Sequence, residues 1–416
     1  MAASNRMAHR LEGSTKSIWV EFTALAAECK AVNLGQGFPD YPPPDYVTNA
    51  LQSAAAVPQN NQYTRSFGHV RLVKALGSLY SDLLGHQIEP MNEILVTVGA
   101  YMGLFYSAMS LINPGDEAII IEPFYDCYEP IVRMAGGNPV FIPLRLESHQ
   151  DNSLNTSNDL KLNFEELESK FNSKTKVLFL NNPNNPTGKV YKRDELMKIA
   201  HLVRKHDIIV ISDEVYEWMV YDDNKHIRFA TLPDMWDRTI TIGSAGKSFS
   251  VTGWKIGWAI GPYHLLEGLQ FVHQNCIFTT CTVLQEAVAA AFELEMQRLD
   301  SPDCYFRSIA RELKPKRDLL VQLLKDAGMQ PIVPEGGYFM IADFSNLNNI
   351  KIDGSSPDPK DIQFVKWLTR EKKLATIPPS AFYCKEHKDL AKNWTRFCFF
   401  KKDSTLEQAA DILKKL

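Results

Sequence analysis

The sequence predicts an α/β protein in which a large unit, with a mostly parallel sheet between helices, is joined to a smaller α+β unit. Two observations indicate this. From Asp45 onward, short apolar runs bounded by turn residues alternate with segments of helical period, which is typical of parallel strands joined by helices. After Asp300 the alternation stops and helices are followed by short strands. We place the large unit at residues 46–300, and the N-terminal arm plus smaller unit at 1–45 and 301–416.

The first forty residues form the predicted arm. It ends in a Gly/Pro cluster, Gly35–Pro44, which neither a helix nor a central strand tolerates. The arm therefore leads into the main body without belonging to its sheet.

Six runs rich in β-branched residues predict the strands of the large sheet. Apolar spacings of three and four predict helices between them, and helices on both faces favour a parallel sheet. The strands are Ile94–Val98, Glu117–Ile121, Pro139–Pro143, Val177–Leu180, Ile208–Ile211 and Thr239–Ile242, and the helices are Val70–Leu84, Asp194–His206 and Leu284–Met296.

The C-terminal part predicts one long helix and several short elements. Residues Cys304–Ala327 have helical period, and Pro315 within them predicts a kink or a break. The remaining predicted elements are strands near Tyr338–Ala342 and Phe397–Phe400, a polar surface loop over Asn346–Lys360, and a closing amphipathic helix over Leu406–Leu416.

Charge and hydropathy exclude several classes of protein. The chain has 416 residues, with 45 Lys and Arg against 49 Asp and Glu, for a net charge of −4. This balance gives no global attraction for nucleic acid or an anionic membrane. No uncharged apolar run approaches the roughly 18 residues of a membrane span.

The cysteines and histidines show no metal-binding spacing. Seven scattered cysteines form no CxxC pair, which favours free thiols in a reducing compartment. Cys384 lies three residues before His387, but no second pair stands nearby at zinc-finger spacing, so we expect no zinc site.

The first ten residues carry two arginines and no acid. They lack an apolar signal core and the richer arginine and serine content of a transit peptide. We expect a cytoplasmic protein, with a short mitochondrial leader as the alternative.

A glycine- and serine-rich turn that follows a β run carries Lys247. Its last residues, Gly246–Ser248, end like a phosphate-binding loop, but Thr241 stands where that loop needs its first glycine. Ser244-x-x-Lys247 also matches the serine β-lactamase pattern, without the downstream KTG. A third interpretation is a buried lysine that condenses with an aldehyde cofactor. Taken alone, the turn favours two surface lysines, Lys247 and Lys255.

Asp213 ends a buried apolar run and is followed by Tyr216. A carboxylate at the C-terminal end of a parallel strand lies where such sheets bind ligands. It suits the ring nitrogen of pyridoxal phosphate, which needs a carboxylate partner, and Tyr216 could reach the ring hydroxyl. A helix cap is the structural alternative.

Two further turns follow predicted strands. Asn181–Gly188 combines four amides with two prolines, so it is either a plain surface turn or places Asn185 against the cofactor's phenolic oxygen. Residues Val96–Tyr101 end a strand with a glycine turn that enters a helix, where free N–H groups suit a phosphate.

Together these motifs resemble the class I, fold-type I, pyridoxal-phosphate aminotransferases over nearly the whole chain. The resemblance implies a seven-stranded-type sheet in the large unit. Further motifs narrow it to the group of kynurenine aminotransferases, also called glutamine transaminase K or cysteine-conjugate β-lyase. The general motifs are residues 182–188, 212–216 and 244–257, and the narrowing ones are Asn33–Asp40, Glu122–Glu129 and Arg396–Phe399.

The resemblance implies a role for each cofactor-binding residue. Lys247 forms the Schiff base with pyridoxal 5′-phosphate and later moves the proton. Asp213 pairs with the pyridine nitrogen, Asn185 and Tyr216 contact the ring oxygen, and Tyr125 stacks on the ring face.

The resemblance also implies which residues bind the cofactor phosphate. Ala100, Tyr101, Ser244 and Lys255 surround the phosphate, with Lys255 at a position where other class I enzymes have arginine. Tyr63 reaches the phosphate of the neighbouring subunit, so the resemblance implies a homodimer with shared sites.

The substrate α-carboxylate is assigned to Arg396, with Asn185 and the backbone of Gly37 assisting. A planar guanidinium binds a carboxylate with two hydrogen bonds. Thr279 departs from members that have histidine there. An aromatic side-chain pocket is implied for Trp19, Tyr63, Tyr101, Phe278 and Tyr338, each of which could instead be a core aromatic.

The implied activity is transfer of an amino group from kynurenine, glutamine, methionine or phenylalanine to a 2-oxo acid, with ping-pong kinetics. A leaving group at Cβ allows β-elimination as a side reaction. Within the same class, the alternative is an enzyme that is primarily a β-lyase or a general aromatic aminotransferase. The alternatives from other classes are a phosphate-loop nucleotide enzyme and a cofactor-free binding protein.

Overall fold

The computed structural model describes residues 8–11, 17–147, 149, 153–348, 350, 352 and 356–416. Part of the N-terminal segment that was considered as a mitochondrial leader, and part of the predicted Asn346–Lys360 loop, therefore lie outside the described residues. Within them, none of the helices is long and apolar enough to cross a bilayer.

The helices alternate with the strands through the first two thirds of the chain. In order they are α1 Ile18–Glu28, α2 Asp45–Ala55, α3 Val70–Leu84, α4 Gly99–Leu111, α5 Tyr128–Met134, α6 Phe164–Lys170, α7 Arg193–Lys205, α8 Ala245–Ser248, α9 Tyr263–Cys276, α10 Thr282–Gln297, α11 Tyr305–Asp326, α12 Lys360–Glu371 and α13 Asp403–Leu413.

The strands form one large and three small sheets. They are β1 Val32–Asn33, β2 Ile94–Val98, β3 Glu117–Glu122, β4 Asn138–Pro143, β5 Arg145–Leu146, β6 Leu160–Lys161, β7 Thr175–Asn181, β8 Ile209–Asp213, β9 Thr239–Ser244, β10 Ile256–Ile260, β11 Gln330–Ile332, β12 Phe339–Asp343, β13 Leu374–Ala375 and β14 Trp394–Cys398.

The large sheet has seven strands in the order β2-β10-β9-β8-β7-β3-β4. All pairs are parallel except the two that β10 makes with β2 and β9. This confirms the predicted mostly parallel sheet, and all six predicted strands are present. The strand that sequence reasoning missed is β10, because it follows directly on the Gly-rich stretch around Lys247.

Strand direction brings several chain segments to one edge of the sheet. The parallel strands β7, β8 and β9 end there with Asn181, Asp213 and Ser244. Strand β2 runs the same way and leads into α4, while β10 starts at this edge, just after Lys255. Residues from five strands thus meet along a short line.

The smaller unit is built around the three-stranded antiparallel sheet β11-β12-β14. The N-terminal segment joins it, because β1 pairs with β13 in parallel register and Phe22, Leu25 and Leu34 belong to its core. These contacts agree with a unit made from both chain ends, although the exact boundaries at residues 45 and 300 stay a prediction.

Of the kink or break predicted at Pro315, the break is wrong, because the 22-residue helix α11 continues through the proline. The kink stays a prediction. A helix-interior proline loses one hydrogen bond and crowds the preceding turn. Here the buried face of the helix, which includes Leu313 and Leu320 on either side of the proline, packs into the core of the smaller unit. That packing holds the helix together across the proline.

Gly257 of β10 is expected to be intolerant of a side chain. A Cβ there would lie 2.4 Å from the backbone nitrogen of Ala100 and 2.5 Å from the carbonyl carbon of Gly99, so the backbone must move. We expect Gly257→Ala to lower the free energy of unfolding by about 1–3 kcal/mol, measured as an earlier denaturation midpoint. Gly253→Ala is the matched control, because a Cβ there meets nothing within 4 Å. Equal midpoints for the two variants would contradict this close approach.

Candidate active site

A cavity of about 320 Å³ opens at the edge where the strands converge. Its walls come from the strand ends, from the segment around Gly37, and from Phe339 and Arg396 of the small antiparallel sheet. All but three of the residues predicted for the site line it: Trp19, Gly37, Ala100, Tyr101, Tyr125, Asn185, Asp213, Tyr216, Ser244, Lys247, Lys255 and Arg396.

Asp213 supplies a buried carboxylate to the cavity wall. It ends β8 after the buried residues Val210, Ile211 and Ser212, and only 4% of Asp213 is exposed. Burial raises the pKa of its carboxyl to about 6, although a hydrogen bond from Tyr128 opposes the shift. A cationic group in the cavity would therefore restore the charge of this carboxylate.

Tyr128 is a functional residue that sequence reasoning missed. Its hydroxyl donates to Asp213 Oδ2 at 2.6 Å, and its ring stacks on Phe179 with 5.0 Å between centroids. A buried tyrosine needs a partner for its hydroxyl, but nothing in the sequence shows that the partner is a residue 85 positions away.

Lys247 follows β9 in the short helix α8. Burial lowers the pKa of Lys247 to about 8, with the neighbouring charge of Lys255 acting in the same direction. The amine donates to the hydroxyl of Tyr338 at 2.6 Å. A substantial neutral fraction near pH 7–8 makes this amine a usable nucleophile and base.

Arg396 is a buried guanidinium with no carboxylate partner among the described residues. One nitrogen donates to Asn185 Oδ1 at 2.9 Å and another to the carbonyl of Gly35 at 2.9 Å, while Nε has no partner. The ring of Phe339 lies 3.9 Å from the guanidinium carbon. Burial lowers the pKa of Arg396 to about 10. The geometry is that of a fixed fork that can receive a carboxylate.

The start of α4 is a candidate anion site. Gly99 has a left-handed φ of +66°, which turns the chain from β2 into the helix. The first N–H groups of a helix have no intrahelical acceptor, and here they belong to Ala100 and Tyr101. The Nζ of Lys255 lies 3.2 Å from the position of a Cβ on Gly99, and no hydrogen bond or ion pair within the described chain occupies it. A phosphate fits this combination of free N–H groups and positive charge.

Trp19 is held at the cavity by the residue next to Tyr125. Its indole N–H donates to Asp126 Oδ2 at 2.9 Å, and its ring lies 5.2 Å from the guanidinium carbon of Arg396. The N-terminal segment therefore contributes an aromatic wall beside the carboxylate fork.

Two predicted residues lie outside the cavity of their own chain. Tyr63 is 85% exposed and Phe278 is 54% exposed, and their rings pack edge to face with 5.5 Å between centroids. They form an exposed aromatic pair on the surface.

Tyr338, which the resemblance assigns to the aromatic pocket, is buried and does not line the cavity, and its contact with a substrate stays a prediction. The aromatic residue that lines the cavity at this point is its neighbour Phe339. Adjacent residues of an extended chain point to opposite sides, which separates the two rings. The carbonyl of Gly37 accepts a hydrogen bond from the Tyr338 hydroxyl at 2.7 Å, and the assistance of its backbone in carboxylate binding stays a prediction.

One group of potential metal ligands occurs among the described residues, namely Glu122, Cys384 and His387. The His387 ring and the Glu122 carboxylate are in direct hydrogen-bond contact, closer than the separation of about 3.3 Å between two ligands of one tetrahedral zinc. Glu122 also accepts the backbone N–H of Cys384. These groups are paired with one another in a hydrogen-bonded cluster.

Comparison with known proteins gives a consistent result. The family described as "Aminotransferase class I and II" matches residues 30–413. Human kynurenine--oxoglutarate transaminase 3 is 57% identical over 407 residues, covering 98% of this chain and 89% of the human protein. The crystal structure of Bna3p from Saccharomyces cerevisiae, described as a candidate kynurenine aminotransferase, has a TM-score of 0.90 at 34% identity, covering 99% of this chain and 98% of that one. YbdL from Escherichia coli, described as having a methionine aminotransferase function, has a TM-score of 0.87 at 29% identity, covering 99% of each chain.

We expect the buried carboxyl of Asp213 to destabilise the cofactor-free protein at neutral pH. Because its pKa is about 6 in the folded protein against 3.8 ordinarily, stability falls as pH rises through this window, by about 3 kcal/mol in total. Asp213→Asn, which can still accept from Tyr128, should therefore raise the thermal midpoint at pH 8. By pH 5 that gain should shrink to roughly half.

Asp82→Asn is the control, because this carboxylate is exposed on α3. It should leave the midpoint unchanged at both pH values. An Asp213→Asn gain that is the same at pH 5 and pH 8 would contradict the raised pKa.

Proposed function

This chain belongs to the class I and II aminotransferase family, and on that premise we propose that it uses pyridoxal 5′-phosphate to transfer the amino group of kynurenine to a 2-oxo acid. The observation that carries the proposal is one cavity that holds three separated charges. Asp213, Lys247 and Arg396 line it, and none forms an ion pair within the described chain.

The residues fit the cofactor at three points. The buried Asp213 carboxyl, with its raised pKa, suits a protonated ring nitrogen. The N-terminus of α4 with Lys255 suits the phosphate, and Lys247 lines the same cavity. When bound, pyridoxal 5′-phosphate supplies an aldehyde that condenses with amines and a ring that withdraws electrons from the adjoining carbon.

The chain's own groups bind and orient the substrate and move its proton. Arg396, fixed by Asn185 and Gly35, receives the α-carboxylate. Lys247 accepts the proton from Cα through Nζ and later donates one, acting as general base and acid at a lowered pKa. Tyr216 has a buried side chain beside Lys247. Together with Asn185 it orients the phenolic oxygen of the cofactor.

The amino donor is proposed from the relatives and from the cavity wall. Proteins named for kynurenine--oxoglutarate transamination are up to 57% identical to this chain, and a structural neighbour is described as a methionine aminotransferase. The wall carries the aromatic rings of Trp19, Tyr101, Tyr125 and Phe339, which suit large neutral side chains. Glutamine, methionine and phenylalanine are further donors, and a donor with a leaving group at Cβ would undergo β-elimination as a side reaction.

The activity test uses the purified protein with added pyridoxal 5′-phosphate, kynurenine and 2-oxoglutarate. We expect kynurenic acid to form and a visible absorption band to accompany cofactor binding. Lys247→Ala should abolish the band and lower the rate by at least about 1,000-fold, because it removes the base. Lys74→Ala, an exposed lysine of α3, should retain both. Failure of the wild-type protein to transfer any amino group from kynurenine, glutamine, methionine or phenylalanine would overturn the proposed function.

We further propose that the active unit is a homodimer with shared sites. Tyr63 and Phe278 are exposed and packed together, and Tyr63 is far more exposed than an aromatic side chain that serves its own chain. In this proposal Tyr63 donates to the phosphate held by the partner.

All seven cysteines are free thiols, which fits a reducing compartment such as the cytoplasm or the mitochondrial matrix.

Mixed dimers test this arrangement. Lys247→Ala and Tyr63→Ala should each be nearly inactive alone, whereas mixing the two with subunit exchange should restore about a quarter of wild-type activity, since half of the dimers are hybrids with one intact site. Mixing Lys247→Ala with wild type gives the baseline, because half of the sites stay intact with or without exchange, and native mass spectrometry of the mixture verifies the exchange itself. If Tyr63 served its own chain, the hybrid would contain two damaged sites and no activity would return.

A further inference from the structure

Tyr338 connects two parts of the site that are far apart in the chain. Its hydroxyl accepts a hydrogen bond from Lys247 Nζ at 2.6 Å and lies 2.7 Å from the carbonyl oxygen of Gly37. The three groups come from different segments: the turn after β9, the residue before β12, and the N-terminal arm. A single phenol thus links the amine to the arm.

The ring of Tyr338 is held in place from several directions. It contacts the edge of Tyr216 at 5.1 Å, Phe339 at 4.7 Å and Phe400 at 5.3 Å between centroids, and only 1% of the residue is exposed. The side chain of Lys247, by contrast, is a flexible four-carbon stem. In this pair the phenol is the fixed member and the amine is the one that is positioned.

The carbonyl of Gly37 is fixed as well. Lys401 Nζ donates to the carbonyls of both neighbours, Gln36 at 3.1 Å and Phe38 at 2.7 Å. A Cβ on Gly37 would lie 2.5 Å from Cζ of Phe339, so the segment is packed closely against β12. The acceptor for the phenol proton therefore has little freedom to move.

The hydrogen-bond directions follow from the chemistry of the groups. A carbonyl oxygen only accepts, so the single hydroxyl proton of Tyr338 is donated to Gly37. The phenol oxygen then faces Lys247 as an acceptor, and it takes an N–H from the ammonium or from the neutral amine. A neutral amine held by its N–H directs its lone pair away from the phenol.

We propose that Tyr338 is a positioning residue for Lys247, holding the free amine by one N–H so that its lone pair is directed into the cavity. The inference rests on the proposed function, in which Lys247 is the base that removes the Cα proton. It assigns to Tyr338 a role distinct from a side-chain pocket, since the ring does not line the cavity.

The test compares Tyr338→Phe with Tyr106→Phe. Tyr106 is buried in α4 and its hydroxyl has no partner among the described residues, so it controls for loss of a buried phenol oxygen. The first measurement is the rate at which a small acylating reagent modifies Lys247 in the cofactor-free protein between pH 6 and pH 10, followed by mass spectrometry of the Lys247 peptide.

Loss of an acceptor that stabilises the ammonium should lower the apparent pKa of Lys247, by roughly half to one pH unit in Tyr338→Phe. The control should not shift. A merely structural loosening would act in the opposite direction, because burial is what lowers this pKa and access of water would raise it. An unchanged or raised value in Tyr338→Phe overturns the proposal.

The second measurement is made on the cofactor-loaded enzyme with Cα-protiated and Cα-deuterated amino acid. A misdirected base should lower kcat by about 10- to 100-fold with little change in KM, and should increase the deuterium isotope effect. A kcat and isotope effect equal to those of Tyr106→Phe overturn the positioning role even if the pKa falls. If the wild-type protein transfers no amino group, the proposed function fails, and the acylation profile alone decides whether Tyr338 orients Lys247.

Discussion

The direction of the strands in the large sheet is the constraint on which the rest of the site depends. Because β7, β8 and β9 are parallel, their last residues share one edge, and β2 delivers the start of α4 to the same edge. The antiparallel strand β10 then leaves from this edge, which places Lys255 beside Gly99. No single loop builds the cavity. The cavity forms where several strands end and where α4 and β10 begin, and each of these elements packs into the hydrophobic core.

That arrangement has an energetic cost, which the hydrophobic core must offset. Asp213, Lys247 and Arg396 line one cavity but form no ion pair with one another, so none neutralises another by direct contact. Their pKa values move toward the uncharged forms, as expected when charge is buried without a partner. Such a site lowers the stability of the empty protein and is preorganised for ligands that bring the missing charges.

Much of this could be predicted from the sequence, and the exceptions have physical causes. Strands with β-branched runs were located within a residue or two, whereas β10 was missed because it follows a glycine-rich stretch. Arg396 and Lys247 stand in recognisable motifs. The link from Tyr128 to Asp213, and the choice of Phe339 rather than Tyr338 for the cavity wall, depend on side-chain direction and on partners distant in sequence. At Pro315 the local sequence predicts a helix break, but packing of α11 into the core of the smaller unit keeps the helix continuous.

The hydrogen bond from Arg396 to the carbonyl of Gly35 joins residues 361 positions apart. Strand β1, beside Gly35, also pairs with β13 near the other end of the chain. A ribosome must therefore have synthesised the chain at least as far as Arg396 before this hydrogen bond can form. Nascent chains that have folded only their large sheet would carry Lys247 and Asp213 but not the guanidinium that completes the cavity wall. The cavity is thus complete only after β1 and β13 have paired.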